Sequence, residues 1–391
     1  HDPSVFPKAT SQGFHLVLAG HLHGGQFVFH ERNGLLYPGA WFFTWNGPAN
    51  TGGHTNSLII KSQSHNVGIG TVTPTERLEV AGGSILAQTG ANLLIAQPID
   101  ATGGESDGGD LDFTAGDDVR VERNLDVSST TKGGGGSIAV RAGVDRAGGV
   151  KIGGELVVTG DMIAHGSADE SGGYDGGDIE LRAFGPVTVT GGIRAVGGTP
   201  DGGGGFVTFD SSDNVVGRVS ALDGDLTINS VIDVHGPTVG TIDATGRGGD
   251  VDLFVGRDGT VAGSMDVSGS DGGGDVTAMV GRTLSFNAIV NARGTVTDGS
   301  GGSVSLESGR GTLGSLTVTR TLDVSATNGA AGNVSLKGCG LTLAPGLTVD
   351  ARTGRSNQAP RIDLVTASTM SIGASGSYRA DPLGRVLLGH P

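Results

Sequence analysis

His21 and His23 stand two residues apart in Gly20-His21-Leu22-His23-Gly24-Gly25, directly after the apolar run Leu16-Val17-Leu18-Ala19. Imidazoles at that spacing suit two adjacent divalent metals that activate a water toward a phosphate ester. A turn at Gly20 and Gly24-Gly25 is expected to bring both rings to one site. Asp-Gly-Gly clusters at 107–110, 175–178 and 271–275 offer a second chemistry, carboxylates beside bare backbone, as calcium uses. Glycine/aspartate calcium repeats return their ligands every nine or so residues, whereas these return every 25 to 30. They read as solvated turns in which Gly and Asp take positive φ. An Asp-x-His at Asp233-Val234-His235 reads as ordinary residues of the repeat that contains it.

The elements that position these groups have two different compositions. Seven of the ten histidines lie in the first 65 residues, and both tryptophans, Trp41 and Trp45, in the first 45. Beyond Gly83 there is no tryptophan, and most of the 75 glycines fall there. The chain divides into a short segment 1–60, a connector 61–82 and a long body 83–391. Glycine pairs followed by one residue and an apolar anchor recur through the body, at Ile85, Leu111, Ile138, Ile179, Val207, Val251, Val276 and Val304. Weaker forms end in Val334 and Ile362. The steps are 26, 27, 41, 28, 44, 25, 28, 30 and 28, the two long ones reading as units with an insertion.

A second landmark, apolar-Asp-apolar, follows 15 residues after the anchor at Asp100, Asp126 and Asp266. Arg194 and Asn291 replace the Asp at the same offset, and Asp243, Asp323 and Asp350 carry the motif at shifted spacing. Period-two alternation such as Val251-Asp252-Leu253-Phe254-Val255 marks short strands between turns. One unit of this size cannot bury its own apolar face, but stacked units bury a continuous column. The expected fold is all-β: a right-handed parallel β-helix, or β-solenoid, of about ten to twelve coils, each rising about 4.8 Å, with a small atypical N-terminal segment. Stacked carboxylates at Asp100, Asp126 and Asp266, about 5 Å apart, would repel by roughly 1 kcal/mol in water. Arg194 and Asn291 at equivalent places relieve that, and weak calcium binding to the solenoid would do the same.

Composition narrows the function. Clustered glycine excludes collagen, and an apolar fraction of 36% excludes charge-driven disorder. A formal charge of −15 argues against nucleic acid as a partner, and no apolar run is long enough for a transmembrane segment. Cys339, the single cysteine, excludes an internal disulfide and reads as a small buried residue. The chain opens on His1 without a signal-peptide pattern, as a processed chain or a fragment would.

Three resemblances add to this. Phe14 to Gln26, with Gly20-His21-Leu22-His23-Gly24-Gly25-Gln26 and the upstream His1-Asp2-Pro3, resembles the C-terminal end of a calcineurin-like metallophosphoesterase. The resemblance implies a divalent metal site (manganese, iron or zinc) at His1, His21 and His23, with His1 and His21 on one ion and His23 on the other. The family's earlier Asp-x-His, bridging Asp and Asn-His-Asp/Glu do not precede His1, so it implies an inactive hydrolase part in this chain. Phosphoesterase activity would need those motifs supplied. His65 to Pro74 with Leu78 to Gly82 resembles a connector found in phage tail-fibre-type surface proteins. Residues 83–391 resemble the filamentous-haemagglutinin-like β-solenoids of bacteria, which implies an extracellular or cell-surface, structural or adhesive, non-catalytic role, with surface glycans or proteins as partners. Parallel β-helices also host polysaccharide-acting enzymes, but this body has only Tyr174, Tyr378 and scattered Phe to stack on sugars, which makes that the third reading.

Overall fold

The computed structural model describes residues 83–144, 153–212, 224–237, 245–295, 298–309, 314–353, 360–380 and 385–389. It also describes the strand backbones Leu16–His21, Gly24–Phe29, Phe43–Trp45, Ser57–Ser62, Val67–Ile69 and Leu78–Glu79. Among these residues there is no helix. The alternation read from each anchor acquires a direction: in Val251–Val255 the odd positions are buried and Asp252 and Phe254 face out. Each such strand lies parallel to the equivalent strand one turn away, in register: Ile179 with Val207, Val207 with Val251, Val251 with Val276.

The chain is a parallel β-solenoid with three strand ladders. The first holds the anchor strands, such as Leu111–Ala115; the second Val119–Val121 and its equivalents; the third Leu125–Asp126 and its equivalents. Nine turns run from Ser84 to Ala351, each with all three. Strands at both ends prolong the ladders. Ser57–Ser62, Val67–Ile69 and Leu78–Glu79 pair with the three strands of the turn that starts at Ser84, and Arg385–Gly389 pairs with Arg361–Ile372. The two long repeat steps leave the register intact, Ile138 lying opposite Ile179 and Val207 opposite Val251. In sequence their extra residues fall between the paired strands, and the pairing is undisturbed. Separately, Leu16–His21, Gly24–Phe29 and Phe43–Trp45 form a three-stranded antiparallel sheet.

Apolar columns fill the interior. Phe209 stacks between Leu181 and Leu253, and Phe286 between Val261 and Val318, all of them buried. The turn with Phe286 on its second ladder has only Ala278 at the facing column of its first. Large and small side chains thus alternate to keep the cross-section filled.

The glycine pairs have a different cause from the one the sequence suggested. None of the described pair glycines has positive φ; among described residues the positive-φ glycines lie elsewhere, and Ser375 is the one non-glycine there. The pairs are required by crowding. The second glycine of these pairs donates its N–H to the carbonyl of the residue after the third-ladder Asp or its replacement, as Gly136 does to Val127 at 2.8 Å and Gly274 to Val267 at 2.6 Å. This pinches the chain into a narrow neck, beyond which residues such as 128–134 form an outward loop. Necks stack glycine on glycine, so a Cβ on Gly177 would meet the carbonyl oxygen of Gly136 at 1.8 Å.

The described aspartates do not take positive φ either; they work as acceptors. The residue just before a strand is repeatedly Asp or Asn, and its side-chain oxygen accepts the backbone N–H of the equivalent residue one turn later. Asp110 binds Ser137, Asp275 binds Ser303, Asp118 binds Glu155, Asp258 binds Thr283 and Asn124 binds Asp161, at 2.7 to 3.2 Å. Much of the acidic composition is therefore structural. Asp258→Asn keeps an acceptor oxygen and is expected to be nearly neutral, whereas Asp258→Ala removes the acceptor of the exposed Thr283 N–H and should cost about 0.5–1.5 kcal/mol in urea unfolding. Equal costs for the two would contradict this role.

Cys339 corrects the expectation of burial. It is half-buried, at a register shift between Gly338 and Gly340. Its N–H donates to Gly314 and its carbonyl accepts from Thr366.

Candidate functional site

Of the three histidines picked out by sequence, His21 ends the strand Leu16–His21, opposite Gly24 in a hairpin, so the chain does turn there. His1 and His23 lie outside the described residues.

A different cluster emerges on the third ladder. One register column runs Glu79, Asp100, Asp126, Ile163, Arg194, Asp233, Asp266, Asn291, Asp323, Asp350, Arg379, each opposite the next. Asp100 and Asp126 are neighbours as expected, while Asp266 is four turns further on. The landmark of the sixth position is Asp233; Asp243, which carries the same motif, lies outside the described residues. Arg194 and Asn291 do interrupt the acidic run: Arg194 forms an ion pair with Asp161 at 3.0 Å, and Asn291 donates Nδ2 to Asp266 at 3.1 Å.

Each Asp in the column also closes its corner. Its Oδ1 accepts the N–H two residues on, at Thr102, Ser128, Ser268 and Ser325, within 3.0 to 3.1 Å. The hydroxyls of Thr102 and Ser268 add a second bond. Such Asx turns explain why the motif recurs as Asp-x-Ser/Thr. In two turns the hydroxyl position is a histidine instead. His165 follows Ile163, and its Nδ1 accepts the Val196 N–H at 3.1 Å. His235 follows Asp233, and its Nδ1 shares a short hydrogen bond with Asp233 Oδ1.

The two rings titrate in opposite directions. Burial lowers His165 from its ordinary 6.5; the carboxylates of Asp126 and Asp233 oppose that, while Arg194 and His235 add to it. The bond to Asp233 raises His235 from 6.5 against burial, helped by the charges of Asp233 and Asp266. For Asp233 burial works upward, but the His235 ring, its charge and its N–H, with the charge of His165, outweigh it, and its pKa falls.

His165 therefore contributes stability that is complete above the unfolded value of 6.5 and is lost as pH falls. His235 contributes stability that is complete below 6.5 and is lost as pH rises through its raised value. His165→Gln should flatten the acid side of the stability profile and His235→Gln the alkaline side, in urea unfolding from about pH 5 to pH 8. Identical profiles for both variants and the parent would contradict the assignment.

Asp233, His235 and Asp266 each offer one ligand atom, all within 4.8 Å of one another. Two turns contribute, Asp233 and His235 from one and Asp266 from the next. The signal was legible in principle: at the position two after the landmark, hydroxyls at 102, 128, 268 and 325 give way to His at 165 and 235. Two of the three Asp-Gly-Gly clusters, at 107–110 and 175–178, contribute to an open groove of about 250 Å³ between Asp107, Asp110, Ser137 and Asp178. There Asp107 already accepts the Gly134 N–H at 2.8 Å, Asp110 that of Ser137 and Asp178 that of Phe206. No helix is long and apolar enough to cross a membrane among the described residues. No family model, curated protein or solved structure matches the chain.

Proposed function

We propose that the chain is a non-catalytic rod of an extracellular or cell-surface protein, with a structural and adhesive role. The observation that carries this reading is how the polar side chains at its corners are used. Side-chain oxygens before the strands hold the next turn's backbone, and the third-ladder carboxylates hold their own corners, a design that extends a rod rather than arming a cleft. The outer second ladder supports adhesion. Thr188, Thr227, Thr260, Ser285, Thr317, Thr342 and Ser371 lie opposite one another in succession. This places a hydroxyl about every 4.8 Å along the rod, a regular row of donors and acceptors matched to hydroxyl-rich glycans. A second reading, the inactive C-terminal part of a dinuclear-metal phosphoesterase, is supported by the hairpin that carries His21 at its turn.

One paired assay tests the proposal. Beads coated with the whole chain are expected to adhere to members of an immobilised glycan panel, and Thr260→Lys to weaken that binding at least about tenfold by placing a long charged side chain across the row. The same preparation with manganese should release no product from a chromogenic phosphodiester. Turnover there, or equal adhesion by parent, variant and uncoated beads, would overturn the proposal.

A further inference from the structure

We propose that Asp233, His235 and Asp266 form a binding site for one divalent first-row transition metal, zinc(II) by preference, which ties two adjacent turns of the rod together. The site is independent of the rod's adhesive role and of the N-terminal histidines.

Geometry makes the first part of the argument. A zinc ion with ligand bonds of about 2.0–2.2 Å holds its ligand atoms roughly 3.3–3.6 Å apart. The three atoms already lie within 4.8 Å of one another, so small side-chain rotations close the site. The backbone needs no movement, because Asp233 and Asp266 are fixed as register partners in two eight-residue strands, Leu226–Asp233 and Gly259–Asp266. Asp266 is further oriented: its Oδ1 accepts from the N–H and hydroxyl of Ser268 at 3.0 and 2.6 Å and from Asn291 at 3.1 Å. Those bonds fix the ligand from behind, as supporting partners do in metal sites.

Charge makes the second part. Two carboxylates one strand spacing apart repel, and the neighbouring cation of the column, Arg194, is engaged by Asp161. His235 is the group that faces both, and its Nδ1 is hydrogen-bonded to Asp233 Oδ1 through one proton. A dication at that place would bind all three ligands, where the proton serves only two. Binding would release that proton to solvent.

Donor type selects the metal. One imidazole nitrogen with two carboxylates favours zinc and its neighbours over calcium or magnesium, which take all-oxygen shells. The other aspartates of the column lack an imidazole partner, since Thr102, Ser128, Ser268, Ser325 and Arg352 stand where His235 does.

The experiment uses the whole chain, with His21→Gln and His23→Gln introduced in parallel to separate N-terminal binding. Zinc is titrated calorimetrically and thermal unfolding is followed with zinc and with chelator. One zinc equivalent is expected to bind and raise the Tm, and both effects should persist when His21 and His23 are replaced. His235→Gln and Asp266→Asn should each weaken binding at least about tenfold and abolish the Tm shift; Asp266→Asn retains an acceptor for the Ser268 N–H. Cobalt(II) substituted into the parent should show a visible absorption band that zinc displaces, a readout requiring no variant. Zinc affinity unchanged in both variants, affinity lost with His21 and His23, or no cobalt band would overturn the proposal.

Discussion

Gly249→Ala is expected to destabilise the solenoid by about 3 kcal/mol or more, at or above the top of the ordinary range for overpacking. The added Cβ would meet the carbonyl oxygen of Gly205 at 1.9 Å and the carbonyl carbon of Gly204 at 2.7 Å. Both are backbone atoms, so no side chain can rotate away. The strand cannot back off either, because Gly249 donates to Val234 at 2.7 Å, closing the neck of its own turn. The same crowding runs along the rod, with a Cβ on Gly274 meeting Gly249 at 1.9 Å and one on Gly302 meeting Gly274 at 1.9 Å. Turns of a solenoid are stabilised chiefly by their nearest neighbours, so the damage should separate the unfolding of the two halves. Gly104→Ala is the control. Nothing lies within 4 Å of its Cβ position and its φ is unstrained, so its cost should stay within about 0.5 kcal/mol. Urea unfolding of the two variants decides the matter, and similar losses would show that the glycine pairs are not there for close approach.

Phe209→Ala should cost about 3–5 kcal/mol, as buried aromatic truncations do. Phe209 is fully buried, stacked between Leu181 and Leu253. The neighbours above and below are held by backbone ladders and cannot collapse inward, which keeps the cavity open. Phe206, three residues earlier, is 44% exposed. Phe206→Ala should therefore be nearly silent, within about 0.5 kcal/mol. Equal losses at 206 and 209 would mean that the inside and outside of this strand had been assigned the wrong way round.

The fold was legible because its cause is periodic. Glycine pairs, anchors and the apolar-Asp-apolar landmark recur once per turn, and each repeats because stacking imposes one geometry on every turn. Purpose was harder to read than position. Both the glycines and the aspartates suggested positive φ, because one residue's neighbours along the chain do not reveal what lies one turn above. Close approach of Gly249 to Gly205 joins residues 44 apart, and Asp258 to Thr283 joins residues 25 apart. Asp243 looked like the landmark of its turn because the motif recurs there; register assigns that role to Asp233.

The candidate site was less legible for the same reason. Asp233-Val234-His235 is ordinary as a sequence and becomes a cluster only when Asp266 arrives from the next turn. Cys339 reads as buried from its residue type alone, which carries no sign of the local register shift at which it sits half-buried. The N-terminal histidines rest on the spacing of His21 and His23 and, for the set that includes His1, on a family resemblance; of them only the backbone of His21 is placed, at the end of a hairpin strand.

The central claim is that distance along this molecule is counted in turns, not in residues. Spin labels at Thr188→Cys and Thr342→Cys, with Cys339→Ser, test it in one pulsed electron-resonance measurement. The two sites are 154 residues apart in sequence but five register steps apart on the second ladder. Five steps of about 4.8 Å give a backbone separation of about 24 Å. A narrow distribution near that value, broadened only by the label arms, is the predicted result. A broad distribution or one centred far beyond it would contradict the stacked-turn architecture on which every other expectation depends.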